Sequence, residues 1–455
     1  MTRPISHAST ATPTQRNRRL LLALPAACAL PALTACGGGA DLSYDTEQAL
    51  YFVDEPITPN IPELATKNQI TAGHTAPTFS VKPALPIGLA LNAQTGVISG
   101  TPTQLQRQSS YTVSARNNRG TAETRVRITV TGRGAWVPVA TVPGARYSTT
   151  IAPLPGGKFL VAGGLMAGGG VTETAAIYDA SSATWSSAAA MLKPRNLPLS
   201  VALRDGRVLV LGGDLTSADP GATEIFNPYT SSWTETGRLN VARDRCTAHL
   251  LASGKVLVVG GQNPFTGEPI DTAELYDPST EGWTPLPTRL STERYLHASA
   301  LLPGGTTLLV AGGNGVTTAE LYKVDGSATK VIPYGLEGFQ HQAVKLDDGS
   351  VLVICAGQSK RFNPLTSSWT TSTPLYGERI FPTMTALADG RVLVAGGAAT
   401  NTAEIYNPDV NRWTAAAPVA VERNRAAATL LGDGSVLMVS GIGLGMVDAS
   451  ERYIP

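Results

Sequence analysis

The sequence predicts an all-β chain in which a small sandwich precedes a closed array of seven repeats. Three observations carry that expectation. Gly (47) and Pro (32) are abundant in 455 residues while charged residues make up only 15%, a composition of short strands joined by turns. Along the last two thirds of the chain, short apolar runs recur, each ending near a glycine pair. Ahead of them, segments between residues 51 and 130 alternate apolar and polar with period two, the mark of half-buried strands. A hydrophobic content of 42% is enough for a folded core. The formal net charge of +1 gives no electrostatic basis for binding nucleic acid. Four cysteines in this length exclude a disulfide-stapled scaffold.

In chain order, residues 1–35 read as a leader and not as part of the fold. Arg3, Arg16, Arg18 and Arg19 precede an apolar stretch, Leu20–Ala35, broken by Pro25 and Pro31. That stretch is short of the ~20 residues a membrane helix needs and suits a secretory leader. It ends in Leu33-Thr34-Ala35-Cys36, followed by three glycines, which resembles the lipobox of bacterial lipoproteins. The resemblance implies cleavage before Cys36 and lipidation of its sulfur; Gly37 at the second mature position resembles the class sorted to the outer membrane. The expected location is therefore the cell envelope, with the protein facing the periplasm or the cell surface. The other explanation is an ordinary signal peptide followed by a coincidental Cys. Cleavage removes four arginines and no acid and leaves Cys246 and Cys355 as the thiols of the folded chain.

Residues 36–48, Gly-rich and then polar, are expected to form a lipidated tether, and 49–132 an immunoglobulin-like sandwich. Tyr111–Ala115 and Thr124–Val130 alternate as strands, and Asn117-Asn118-Arg119-Gly120 between them is a hairpin turn signal. The segment Leu85-Pro-Ile-Gly-Leu-Ala-Leu-Asn-Ala-Gln-Thr-Gly-Val-Ile-Ser-Gly-Thr-Pro-Thr103 resembles the Ig-like, cadherin-like modules of bacterial surface proteins. Relatives of that group often hold calcium through clustered acids. Here Asp45, Glu47, Asp54, Glu55, Glu63 and Glu123 are scattered, and only Asp54-Glu55 offers two neighbouring ligands. No catalytic constellation occurs in this segment, where His74 stands alone.

The repeats occupy 134–455. Runs such as Val208-Leu-Val-Leu-Gly-Gly and Val392-Leu-Val-Ala-Gly-Gly recur seven times, centred on Leu160, Leu209, Leu257, Leu309, Leu352, Leu393 and Leu437. A second apolar strand follows each (Glu274-Leu-Tyr-Asp is typical), and then a tight turn and a Trp. All six Trp obey this scheme; the fourth repeat has Lys330-Val331-Ile332 instead. The pattern resembles kelch repeats, particularly the galactose-oxidase-like class, and implies a seven-bladed β-propeller of four-stranded blades. The last repeat stops after its third strand, whereas Trp136 lies in an extra strand ahead of the first. That strand is expected to complete blade 7 and close the ring.

Eight residues before the apolar residue that ends each first strand (Leu154, Leu203, Leu251, Leu302, Leu346, Leu387, Leu431) stand Arg146, Arg195, Arg243, Arg294, Gly338, Arg379 and Arg423. Five third strands carry Glu: Glu224, Glu274, Glu320, Glu404 and Glu451. Two explanations are open, together with a mixed case in which some Arg are partly available to a ligand. One is a cationic ring around the channel, suited to an anionic or sugar ligand; the other, favoured because it repeats, is an Arg–Glu pair of the scaffold. Strand alternation is expected to place the residues five and seven back on one side of the inner strand. Blades 3 to 5 then present Cys246 with Asp244, His297 with Tyr295, and His341 with Phe339. The loops after the second strands are long in blades 1 to 3 (Leu165–Thr174, Asp214–Ala222, Gln262–Asp271) and short in blades 4 and 6 (Asn314–Thr317, Ala398–Asn401). A ligand entering over the low rim is expected to meet Tyr295, His297, Phe339 and His341, with Arg243 and Arg294 nearby.

Galactose-oxidase-like enzymes hold copper with two His and two Tyr, one Tyr directly preceding a copper His. No Tyr-His dipeptide occurs here; Tyr295-Leu296-His297 comes nearest, and the repeats hold only His249, His297 and His341. The copper set is not matched, no catalytic or metal-binding residue is assigned, and no phosphate or hydrolase motif appears. The expected role is a binding or adhesion module for a glycan or an envelope protein. The alternatives are a divergent carbohydrate-active oxidase and a purely structural envelope component.

Overall fold

The computed structural model describes residues 42–64, 75–118, 120–131, 134–213 and 221–455. The leader, Cys36, His74 and most of the blade-2 loop at 214–220 lie outside them. The described residues form strands and turns and no helix.

The N-terminal module is an Ig-like sandwich. Its main sheet runs Gln48–Phe52, Thr121–Thr131, Gln106–Arg116 and Thr78–Lys82, the first pair parallel and the others antiparallel. Alternate residues of the two long strands, among them Val113, Val126 and Ile128, are buried against Leu42, Phe79 and Ile98. Two short pairs supply the opposite layer, Leu42–Tyr44 with Pro62–Leu64 and Leu89–Leu91 with Ile98–Gly100. The glycines of the Leu85–Thr103 segment have a steric reason. A Cβ on Gly88 would lie 1.9 Å from the Thr101 carbonyl oxygen, and φ there is +94°.

Seven four-stranded antiparallel blades follow, each in chain order from the axis outward. They span Thr150–Ala188, Leu199–Thr236, Thr247–Pro285, Ala298–Pro333, Gln342–Thr371, Thr383–Ala416 and Ala427–Ile454, the last completed by Ala135–Val139. The Val-Leu-Val strands are second from the axis and buried on both faces, so they are apolar without alternation. Apolar side chains of adjacent blades merge into one cluster at each seam. Five of the six Trp belong to the fourth strand of the blade holding their aromatic partner, and Trp136 joins blade 7 from the other end of the chain. All six sit 5.0–5.2 Å from the Tyr or Phe opposite. Trp185 and Trp233 also donate their indole N–H to the carbonyls of Ala140 and Ala189, on the loops entering blades 1 and 2. In blade 4 the residue opposite Tyr322 is Thr329, and the phenol donates instead to the Thr288 carbonyl at 2.8 Å.

Ring closure follows the sequence pattern. Ala135–Val139 pairs with Ser450–Ile454, placing Trp136 opposite Tyr453, and its indole N–H reaches the Ala417 carbonyl at 2.8 Å. The first and last segments of the propeller thus share one sheet, and the added strand covers the outer edge of Ser450–Ile454.

Candidate functional site

The repeated charges belong to the scaffold. Within each of five blades the Arg preceding the inner strand meets the Glu of the third strand: Arg195–Glu224, Arg243–Glu274, Arg294–Glu320, Arg379–Glu404 and Arg423–Glu451. The other Arg donors reach backbone carbonyls and, in three blades, a Thr hydroxyl; in blade 3 these include the carbonyls of Gly260 and Thr272 and the Thr272 hydroxyl. The Glu in turn accepts backbone N–H groups of the loop entering the same blade, as Glu274 does from Asn240 and Val241. Each pair therefore fastens an incoming loop to its blade. Arg243 and Arg294, expected beside a ligand, are 0% and 1% exposed with their donors engaged, so the structure places them in the scaffold instead of the channel.

Two blades depart from this rule. Blade 1 has Ala176 where the others have Glu, and buried Arg146 donates only to the carbonyls of Pro143, Gly144 and Thr174. Burial lowers its pKa to about 10. Blade 5 has lost the whole set together: Gly338 replaces Arg, Lys360 replaces Glu, and Cys355 stands at the position of the first glycine of the pair, where blade 3 has Gly260. The Cys355 sulfur lies 2.5 Å from where a Gly338 Cβ would be, so the thiol fills the space that a side chain at 338 would need.

The turn into the inner strand differs from the expected alternation. Six residues before the reference Leu, every blade has a non-glycine residue in the left-handed region: Ser148, Leu197, Arg245, Leu296, Gln340, Phe381 and Arg425, with φ between 47° and 62°. The inner strands begin only beyond these residues, so the positions five and seven back do not alternate on one strand. Such backbone costs about 1–3 kcal/mol per residue and persists where its surroundings enforce it. Here the enforcement is a belt of hydrogen bonds around the axis. Ser148 N–H donates to the Arg425 carbonyl, Leu197 to Ser148, Leu296 to Arg245, His341 to Leu296, and Arg425 to Phe381. Phe381 N–H donates to the Gln340 side-chain oxygen at 2.5 Å. Among the described residues, every seam except that between blades 2 and 3 is bridged in this way.

Just inside the belt lies an axial cavity of about 360 Å³, bordered by blades 3 to 7 and not by blades 1 and 2. Thr247, Ser299, Gln342, Thr383 and Met384 line it beside His297 and His341. Both histidines are largely buried, and their rings lie over glycines of the preceding blade. A Cβ on Gly260 would meet His297 Cε1 at 2.7 Å, and one on Gly312 would meet His341 Nε2 at 2.3 Å. His341 Nδ1 accepts the Gly313 N–H, which places the proton on Nε2; His297 Nε2 bonds the Thr247 hydroxyl at 3.0 Å. Burial lowers the pKa of His297 to about 3 and of His341 to about 4, so both are neutral near pH 7. His249, on the same inner strand as Thr247, bonds the Ser299 hydroxyl at 2.6 Å. Tyr295 takes a hydrogen bond from Asn314 at 2.5 Å and is partly exposed; Phe339 is 52% exposed on the loop entering blade 5.

These residues do not fit a copper ion. The ring nitrogens without a hydrogen bond, His297 Nδ1 and His341 Nε2, face glycine backbone. Among the described residues no group of three His, Cys, Asp or Glu side chains is placed to hold a metal. Burial raises the pKa of Cys246 to about 12 and of Cys355 to about 11, so neither thiol ionises near neutrality.

The architecture is that of a β-propeller preceded by an Ig-like module, and comparison with known proteins agrees. Residues 47–131 match the family described as "Putative Ig domain", and 246–289 match the "Kelch motif". An F-box/kelch-repeat protein of Arabidopsis thaliana is 34% identical over 85 residues, 18% of this chain and 18% of that protein. Spermatocyte protein spe-26 of Caenorhabditis elegans is 30% identical over 142 residues, 28% of this chain and 23% of that protein. The chain spans less than a third of the length of the curated relatives it matches. Among solved structures, a fungal alcohol oxidase of the AA5 family, in complex with copper, superposes with a TM-score of 0.61 at 20% identity. That match covers 71% of this chain and 76% of the oxidase, and it shows the propeller fold.

The cavity-lining Thr247, Ser299, Gln342 and Thr383 were not apparent from counting along the sequence. The left-handed residue before them shifts which positions face the axis, and side chains such as Leu197, Leu296 and Phe381 give no turn signal.

Proposed function

We propose that this chain is a lipid-anchored protein of the cell envelope whose propeller binds a glycan in the axial cavity, with the Ig-like module as its spacer. The observation that carries the reading is a contrast. The charged residues that repeat are bound up in the scaffold, whereas the cavity is lined by side chains that differ from blade to blade. Gln342 and Thr383 donate to the Pro382 and Ala395 carbonyls and keep acceptor oxygens that suit sugar hydroxyls, the hydroxyls of Thr247 and Ser299 are held by His297 and His249, and Met384 supplies an apolar patch. The cavity, about 360 Å³, lies at the lower end of the range of small-ligand sites, about 300–1,000 Å³, and suits one or a few sugar units. The lipobox-like Leu33–Cys36 supports the anchor. The kelch match supports a propeller used for binding.

A second reading, an envelope protein docking around the mouth, is favoured by exposed Phe265, Phe339, Tyr376 and Leu444. All four belong to loops after second or fourth strands, which meet on one end of the propeller. Screening the mature chain from residue 36, with Cys36→Ser for solubility, against a glycan array and an envelope extract tests both. Saturable glycan binding lost in Gln342→Ala with Thr383→Val supports the first. A captured protein released by Phe339→Ser and Tyr376→Ser supports the second, and neither outcome leaves a structural role.

A further inference from the structure

The left-handed belt is uniform in backbone and variable in side chain. Its seven members carry two cations and no acid, and the cavity begins directly beneath it. From this juxtaposition we propose that the belt is a recognition collar for the carboxylate of an acidic saccharide, held by Arg245 and Arg425 while the sugar ring descends into the cavity. The inference rests on the glycan-binding reading above and names the class of glycan.

Arg425 is the better defined of the two. Its guanidinium lies 4.4 Å from the centroid of the Phe381 ring, which is the next collar member. Stacking fixes the guanidinium plane and leaves its edge donors for another group. Among the described residues Arg425 has no carboxylate partner, in contrast to the five Arg of the buried pairs. Arg245 donates to the Gln262 side-chain oxygen, a neutral acceptor, and its nearest carboxylate, Asp244, is at 4.0 Å. Both arginines are half-buried at the mouth, where a charge-assisted bond is stronger than in open water. A planar carboxylate matches the forked donors of a guanidinium in two parallel bonds. Just inside, Thr247 follows Arg245 by two positions, as Gln342 and Thr383 follow the collar residues Gln340 and Phe381, so groups for sugar hydroxyls lie directly beneath the collar. The collar is held rigid by its hydrogen bonds, so little ordering is required on binding.

The test compares uronate-containing oligosaccharides with the same oligosaccharides after reduction of their carboxyl groups, on the mature chain, by calorimetric titration. The expected result is saturable binding of the acidic set, at least tenfold weaker for the carboxyl-reduced set and weakened by salt. Arg425→Gln and Arg245→Gln should each lower affinity at least tenfold, while Arg289→Gln, on an exposed surface pair, should not change it. Equal binding of both sets overturns the collar proposal and leaves the glycan-binding reading intact. Absence of binding by every glycan on the array overturns both. If an arginine variant unfolds early in a thermal scan, the comparison of acidic with reduced ligand on the unaltered protein still decides the matter.

Discussion

Replacing Glu274 by Gln removes one charge from a buried pair and keeps the shape of the side chain. Glu274 accepts two backbone N–H groups, the Asn240 amide and one Arg243 donor, all within 2.8–3.0 Å. A glutamine offers one oxygen and an NH₂ group, so at least one donor would face another donor. Arg243, whose side chain is fully buried, would keep its bonds to the Val241, Gly260 and Thr272 carbonyls but lose its counter-charge. Breaking a buried pair by removing one partner costs about 3–5 kcal/mol. With about 2.1 cal/mol/K of unfolding entropy per residue over 134–455, 1 kcal/mol moves the midpoint by about 1.5 °C. A thermal unfolding scan should therefore show Glu274→Gln melting about 4–7 °C below the unaltered protein. Arg289→Ala, which breaks a surface pair with Asp271, should stay within about 1 °C. A Glu274→Gln midpoint indistinguishable from that of the unaltered protein would refute the scaffold role of the repeated charges.

Four further outcomes are expected. Trp136→Ala should lower the midpoint of the whole propeller, by less than the ~3–5 kcal/mol typical of a fully buried aromatic because the ring is partly buried, since it packs at a tilt on Tyr453 at 5.2 Å where the circle closes; a local effect seen only by hydrogen exchange near 134–141 would contradict this. His249, His297 and His341 have folded pKa values lowered by burial to about 4, 3 and 4, so the unfolded chain takes up protons first as pH falls. The stability they contribute is present above about pH 6.5 and is lost towards pH 4, which melting curves across that window would show and His341→Gln should flatten. Gly312→Ala, at φ +64° and with its Cβ 2.3 Å from His341, should cost more than Gly304→Ala, which at φ +86° meets nothing within 4 Å. Cys36→Ser should move the protein from the membrane to the soluble fraction and abolish labelling by a fatty acid; unchanged membrane retention without label would remove the anchor.

The propeller was legible because its signal is repeated. The buried second strands, the Glu of the third strands and the Trp recur at matched positions, so one irregular copy, such as blade 4 with Thr329 opposite Tyr322, does not hide the rest. Closure was legible from the strand that the last repeat lacks and the extra one ahead of the first, and the Ig-like module from turn glycines such as Gly88 that tolerate no Cβ. The site was less so. Counting identified His297 and His341 near the axis, but it treated the turn before the inner strand as extended. A left-handed Leu296 or Phe381 has no residue-type signature, since its conformation is imposed by hydrogen bonds from neighbouring blades. Arg243 and Arg294 are conspicuous in the sequence through a regularity that is itself the mark of a scaffold.

The central claim, that the non-repeating residues at the axis form the binding site, is tested most directly by a crystal structure of the mature chain soaked with its strongest glycan ligand. The account predicts electron density for a sugar within hydrogen-bond distance of Gln342 and Thr383, with its acidic group beside Arg425. A ligand seated on the outer strands or on the Ig-like module, with the axial cavity holding none, would contradict it.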